Sequence, residues 1–99
     1  MGVENFLDAN MEYITYEDSL KLLEDPESFP TRVIPHEYGW WINVSLEPEF
    51  EEKMILMLDY GYSQSFVNLM RLANKHKCWW INLDCDGGEY VDGLEFNGW

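Results

Sequence analysis

From Gly39 to Leu46 the chain alternates: Trp40, Ile42, Val44 and Leu46 are separated by Trp41, Asn43 and Ser45. Period two is the signature of a strand with one buried face. Thr31 to Pro35 precedes it as the other arm of a hairpin. A second strand of the same kind spans Cys78 to Cys85. Between the two strands the period changes. Phe50, Met54, Met57 and Leu58 recur at helical spacing, with Pro48 suited to the first turn and Gly61 to the end. Phe66, Leu69, Met70 and Ala73 then match an i, i+3, i+4, i+7 stripe, capped by Ser63 or Ser65. Upstream, Thr15-Tyr16-Glu17-Asp18 reads as a capping box with Asp in place of Glu, opening a helix over residues 15–25. That helix would place Tyr16, Leu20 and Leu23 on one face. Asp25-Pro26 stops it. Met11 to Ile14 is expected as a short strand, Asp86-Gly87-Gly88 as a turn, and Glu89 to Val91 as the return strand. Together these elements predict one α+β domain over residues 1–99, a small, mostly antiparallel sheet with about three helices packed on one side.

The tetrapeptide Trp-Trp-Ile-Asn occurs twice, at 40–43 and 79–82, and holds four of the five tryptophans. Alternation divides each copy between two faces. Trp40/Ile42/Val44 and Trp79/Ile81/Leu83 read as core. Trp41/Asn43 and Trp80/Asn82 occupy the other face, which is either covered by a helix or tail or partly exposed. If the strands are neighbours, Trp41 and Trp80 form one aromatic patch flanked by amides, a composition suited to interfaces.

Charge changes the picture most. Nineteen acidic residues face six basic ones, a formal charge of −13. That exceeds the magnitude of about 2 to 8 that solubility asks of a small domain. The excess lies on both sides of a short cationic stretch, Arg71, Lys75 and Lys77, which suits the end of the third helix and its dipole. Such a chain repels nucleic acid and anionic membranes and is steered toward a basic partner. The N-terminal residues carry neither the basic nor the apolar part of a secretory signal, so the cytoplasm is the expected location. Five methionines and an aromatic face leave a homodimer open.

Candidate chemistry narrows little further. Cys78 and Cys85 have opposite parity within one strand, so two free thiols are expected. With Asp84 as position 1, Asp86, Asp92 and Glu95 fall at positions 3, 9 and 12 of a calcium loop. Glu89, however, stands where such a loop needs glycine, and Gly88 offers no ligand at position 5, which favours a Gly-Gly hairpin. His36, His76, Cys78 and Cys85 lack the close pairs of a zinc site. No phosphate loop or nucleophile elbow is present. No metal, no cofactor and no enzymatic activity are expected.

One stretch is familiar as a whole. Ala73 at the helix end, Cys78, Asp84-Cys85-Asp86-Gly87, Asp92-Gly93-Leu94 and Trp99, with Thr15 through Asp18 upstream, resemble the pattern of a small uncharacterised bacterial family, a domain of unknown function found on plasmids and phages. Glu95 departs from the proline usual there, and Gly88 lengthens the turn. The resemblance implies a mobile-element setting and no particular activity.

The resulting expectation is a non-enzymatic inhibitor that binds a basic, nucleic-acid-binding host defence protein such as a CRISPR or restriction component. Trp41, Trp80 and Trp99 would anchor it, and Glu47, Glu49, Glu51, Glu52, Asp84, Asp86, Glu89 and Asp92 would supply the field. An immunity protein or antitoxin against a basic toxin is the alternative, followed by an acidic metal-binding hairpin.

Overall fold

Thr15 caps the first helix as its sequence requires. Its side chain accepts from the Asp18 N–H, and the Asp18 carboxylate accepts from the Thr15 N–H at 3.0 Å. The computed structural model describes residues 6–44, 48–85 and Asn97. They form β1 (Phe6–Asn10), α1 (Tyr16–Glu24), β2 (Val33–His36), β3 (Gly39–Asn43), α2 (Phe50–Asp59), α3 (Gln64–Lys75) and β4 (Trp80–Asp84). The sheet order is β1-β4-β3-β2. β1 runs parallel to β4, and the other two pairings are antiparallel. The architecture is α+β with a mostly antiparallel sheet, as the alternation predicted.

The registers sort the strand residues into cross-strand rows. Leu7, Ile81, Ile42 and Val33 form one row, and Ala9, Leu83, Trp40 and Pro35 the next. Both rows face the helices. Ile42, Ile81 and Leu83 are fully buried, and Leu7, Val33 and Trp40 pack against the same core. From α3 the core receives Phe66, Leu69, Met70 and Ala73, the stripe anticipated, together with Val67. From α2 it receives Phe50, Met54 and Met57, whereas Leu58 turns outward. Gly61, at φ +89°, ends that helix in the left-handed conformation glycine tolerates. Gly39 is required for a different reason. A Cβ there would lie 1.8 Å from the Leu83 carbonyl oxygen on β4.

Four expectations are corrected. The strand expected at Met11–Ile14 is a 3-10 turn over Met11–Tyr13, started by the Asn10 side chain accepting from the Glu12 N–H at 2.9 Å. The strand lies one segment earlier, at β1, because its pairing partner is β4, far away in sequence. In α1 the buried residues are Asp18, Ser19 and Leu22, while Tyr16 is exposed and Leu23 is 70% exposed. The Asp18 carboxylate is bound to Ser63 at the start of α3, so the inward face of the helix is the one that carries Asp18 and Leu22 rather than Tyr16 and Leu23. Leu58 likewise leaves the α2 stripe, which needs only Phe50, Met54 and Met57 to meet the core.

Trp79 is the fourth. It is 49% exposed rather than buried with Ile81 and Leu83. The cause is the end of α3. Lys77 adopts φ 57°, its N–H bonds to the Asn74 carbonyl at 2.9 Å, and the Cys78 N–H bonds to the Ala73 carbonyl at 2.9 Å. Those are the two hydrogen bonds of a Schellman cap, with lysine in the place glycine usually fills. The cap delivers Cys78 to the core, where it is 7% exposed, and the β1–β4 ladder begins only at Trp80.

Candidate functional site

The opposite face of the sheet carries three further rows. Phe6, Trp80 and Asn43 form the first, Asp8, Asn82, Trp41 and Ile34 the second, and Asn10, Asp84, Gly39 and His36 the third. Trp41 and Trp80 therefore stand on one face of neighbouring strands, diagonal to each other, within reach for large side chains. With Phe6 and Ile34 they line a cleft of about 260 Å³. The Trp41 ring leans across β4 to meet Phe6 edge to face, with ring centroids 5.4 Å apart. Phe6 is nevertheless 55% exposed and Ile34 is also exposed, which places apolar surface at the cleft mouth. No described helix crosses this face.

A polar line runs through the same rows. The Tyr38 N–H donates to His36 Nδ1 at 3.2 Å. A neutral His36 thus carries its proton on Nε2 and donates it to Asn82 Oδ1 at 2.8 Å. Asn82 Nδ2 in turn donates to Asp8 Oδ1 at 3.0 Å. The His36 ring also lies 5.9 Å from the Trp41 ring. These contacts hold Asn82 in one orientation beside the tryptophans and bring one carboxylate, Asp8, to the edge of the aromatic surface. Among the described strand residues of this face there is no lysine or arginine.

The remaining anticipated residues divide. Asp84 ends β4 on this face, in the row beyond Asn82. Glu49, Glu51 and Glu52 begin α2, in the layer that packs on the other side of the sheet, so the structure does not join them to the two tryptophans. Glu51 is moreover in a two-pronged ion pair with Arg71, whose second contact, Nη2 to Oε2, is 3.1 Å. That hydrogen bond holds the Glu51 carboxyl below the ordinary range and lifts the guanidinium above its own, so part of the expected acidic cluster is locally balanced. Glu47, Asp86, Glu89, Asp92 and Trp99 lie outside the described residues, as do the Gly-Gly turn and its return strand.

Three contributors escaped sequence reasoning: Phe6, Asp8 and Ile34. FLDAN does alternate, with Phe6, Asp8 and Asn10 on one parity and Leu7 and Ala9 on the other. The signal is short and weakly apolar, and it becomes decisive only beside β4. Both cysteines are free; Cys78 is buried and Cys85 exposed. Burial pushes the Cys78 thiol up from its ordinary value. Among the described residues no three His, Cys, Asp or Glu side chains are grouped to hold a metal ion, and no helix is long and apolar enough to cross a membrane.

The molecule is thus a small α+β domain with helices on one side of its sheet and an aromatic cleft on the other. It belongs to the family of unknown function DUF5983, whose C-terminal-domain profile matches residues 6–99. No curated protein and no solved structure matches the chain.

Proposed function

We propose that this protein is a non-enzymatic inhibitor, carried by a phage or other mobile element, that binds and blocks a basic nucleic-acid-binding protein of the host's defence. The observation that carries the reading is the pairing of Trp41 and Trp80 in one cleft on a sheet face without a described helix. Aromatic side chains in a partly desolvated pocket are the residues that supply most binding energy in protein interfaces. The charge of −13 supplies the complementary property, long-range attraction to a basic surface and repulsion of nucleic acid itself. The two contributions divide the work: rings hold, charge steers.

The test is a pull-down from host lysate at low salt with the wild-type protein and with Trp41→Ala/Trp80→Ala. The expected result is a basic nucleic-acid-binding protein that the wild type retains, the folded variant loses and raised salt releases. Once purified, that protein should lose its hold on DNA or RNA when the domain is added. A folded wild type that retains no basic protein at low salt refutes the proposal.

A further inference from the structure

We infer that the cleft between Trp41 and Trp80 receives an arginine side chain of the partner, its guanidinium stacked on the rings and directed toward the Asp8 carboxylate. This rests on the binding function proposed above and specifies its chemistry. Four observations converge. The cleft, about 260 Å³, has room for one large side chain. Its walls are flat and π-rich, with Phe6 and Trp41 set edge to face at 80°. One carboxylate stands beside it in a fixed place, because Asp8 Oδ1 is tied through Asn82 to His36. The strand residues of the face contain no lysine or arginine; Arg32, exposed just before β2, is the described cation that adjoins them, its carbonyl accepting from the Asn43 N–H at 2.8 Å, and it is not among the residues that line the cleft.

An aliphatic or aromatic anchor would fill the same volume, but it would make no use of Asp8 or of the surrounding negative field. Lysine would use the field and gain less from the rings, since its ammonium is compact and strongly hydrated. The guanidinium is planar, more weakly hydrated and able to stack on an indole while its edge donates to a carboxylate. Asn82 adds discrimination. Its amide, between Asp8 and Trp41 on the sheet, is committed on both sides, Oδ1 to His36 and Nδ2 to Asp8, so the carboxylate beside the rings stays in one orientation.

The experiment is a titration of the full chain with hexa-arginine, hexa-lysine and hexa-citrulline peptides, following the indole N–H signals of Trp41 and Trp80 by ¹H–¹⁵N NMR. Hexa-arginine should shift both indoles and bind roughly tenfold more tightly than hexa-lysine, a ratio within reach of a partly desolvated cation–π contact. Citrulline keeps the planar shape without the charge and should bind far more weakly. Trp41→Leu/Trp80→Leu, which keeps an apolar cleft and removes the ring faces, should abolish the preference for arginine. Ile34→Lys should do the same without touching the rings, by placing a cation at the exposed rim, and it serves if the leucine variant does not fold. Equal affinity for arginine and lysine, with shifts only at other acidic positions, overturns the arginine site and leaves the basic-partner reading standing. Binding of citrulline as tight as arginine also overturns it. No binding of any cationic peptide at low salt overturns both.

Discussion

The carboxylate of Asp18, 1% exposed, binds Ser63 twice: Oδ1 accepts from the Ser63 N–H at 2.8 Å and Oδ2 accepts from the Ser63 hydroxyl. Oδ2 also accepts from the Thr15 N–H at 3.0 Å, while Ser63 Oγ accepts from the Phe66 N–H at 3.1 Å. One acidic side chain thereby joins the N-termini of α1 and α3, where helix dipoles favour negative charge. Asp18→Ala removes the shared acceptor and leaves the half-buried donors of Thr15 and Ser63 without it, so a loss of about 2 to 4 kcal/mol is expected. Urea unfolding of the variant beside wild type measures it, and a loss below about 0.5 kcal/mol, the scale of an ordinary surface substitution, would refute the link.

The two copies of Trp-Trp-Ile-Asn are not equivalent, and substitution should separate them. Trp40 packs against the core, whereas Trp79 is about half exposed. Trp40→Ala should cost roughly 2 kcal/mol or more, toward the range of large-to-small core changes. Trp79→Ala should cost about 1 kcal/mol or less, as exposed positions do. Thermal unfolding of the pair decides the point, and equal losses would contradict the exposure of Trp79.

Lys77 occupies a left-handed position that costs an ordinary side chain about 1 kcal/mol or more and costs glycine little. Lys77→Gly is therefore expected to stabilise the domain by roughly 0.5 to 1 kcal/mol, partly offset by the greater freedom of glycine in the unfolded chain. An unchanged or lowered midpoint in denaturant would show that the lysine side chain compensates for its backbone.

Alkaline pH should destabilise the fold. Burial raises the Cys78 thiol, and burial, ahead of the opposing hydrogen bond to Ser28, raises the Tyr62 hydroxyl. A folded-state pKa above the unfolded value means that the stabilising difference is fully present below the unfolded pKa. It is lost as pH rises through the folded one. For these groups the loss begins above the ordinary thiol and phenol values of 9.0 and 10.0. Unfolding free energy should fall over that range, tyrosinate absorbance should show a late step coinciding with unfolding, and a thiol reagent at pH 8 should label Cys85 in the native state and Cys78 only after denaturation. Rapid labelling of both thiols without unfolding would contradict the burial of Cys78.

The local patterns were legible without coordinates. Thr15 and Asp18 announce a capping box, Ser63 or Ser65 a cap that the structure assigns to Ser63, Gly61 an end, and the Phe66-to-Ala73 stripe an inner face, because each depends on residues within one or two turns of each other. Alternation likewise assigned Ile42, Val44, Ile81 and Leu83 to the core and Trp41 and Trp80 to the opposite face. What those two tryptophans meet was not legible. The parallel pairing of β1 with β4 spans more than seventy residues, and only that register sets Phe6 and Asp8 beside them. That α1 turns Asp18 rather than Leu23 inward goes with a hydrogen bond between Asp18 and Ser63, 45 residues apart, and the exposure of Trp79 with a left-handed lysine that glycine would have advertised. Short-range periodicity and capping determine which segments form and which face is apolar. Pairing partners, helix rotation and the composition of the cleft come from contacts distant in the chain, where no local free-energy preference marks the choice in advance.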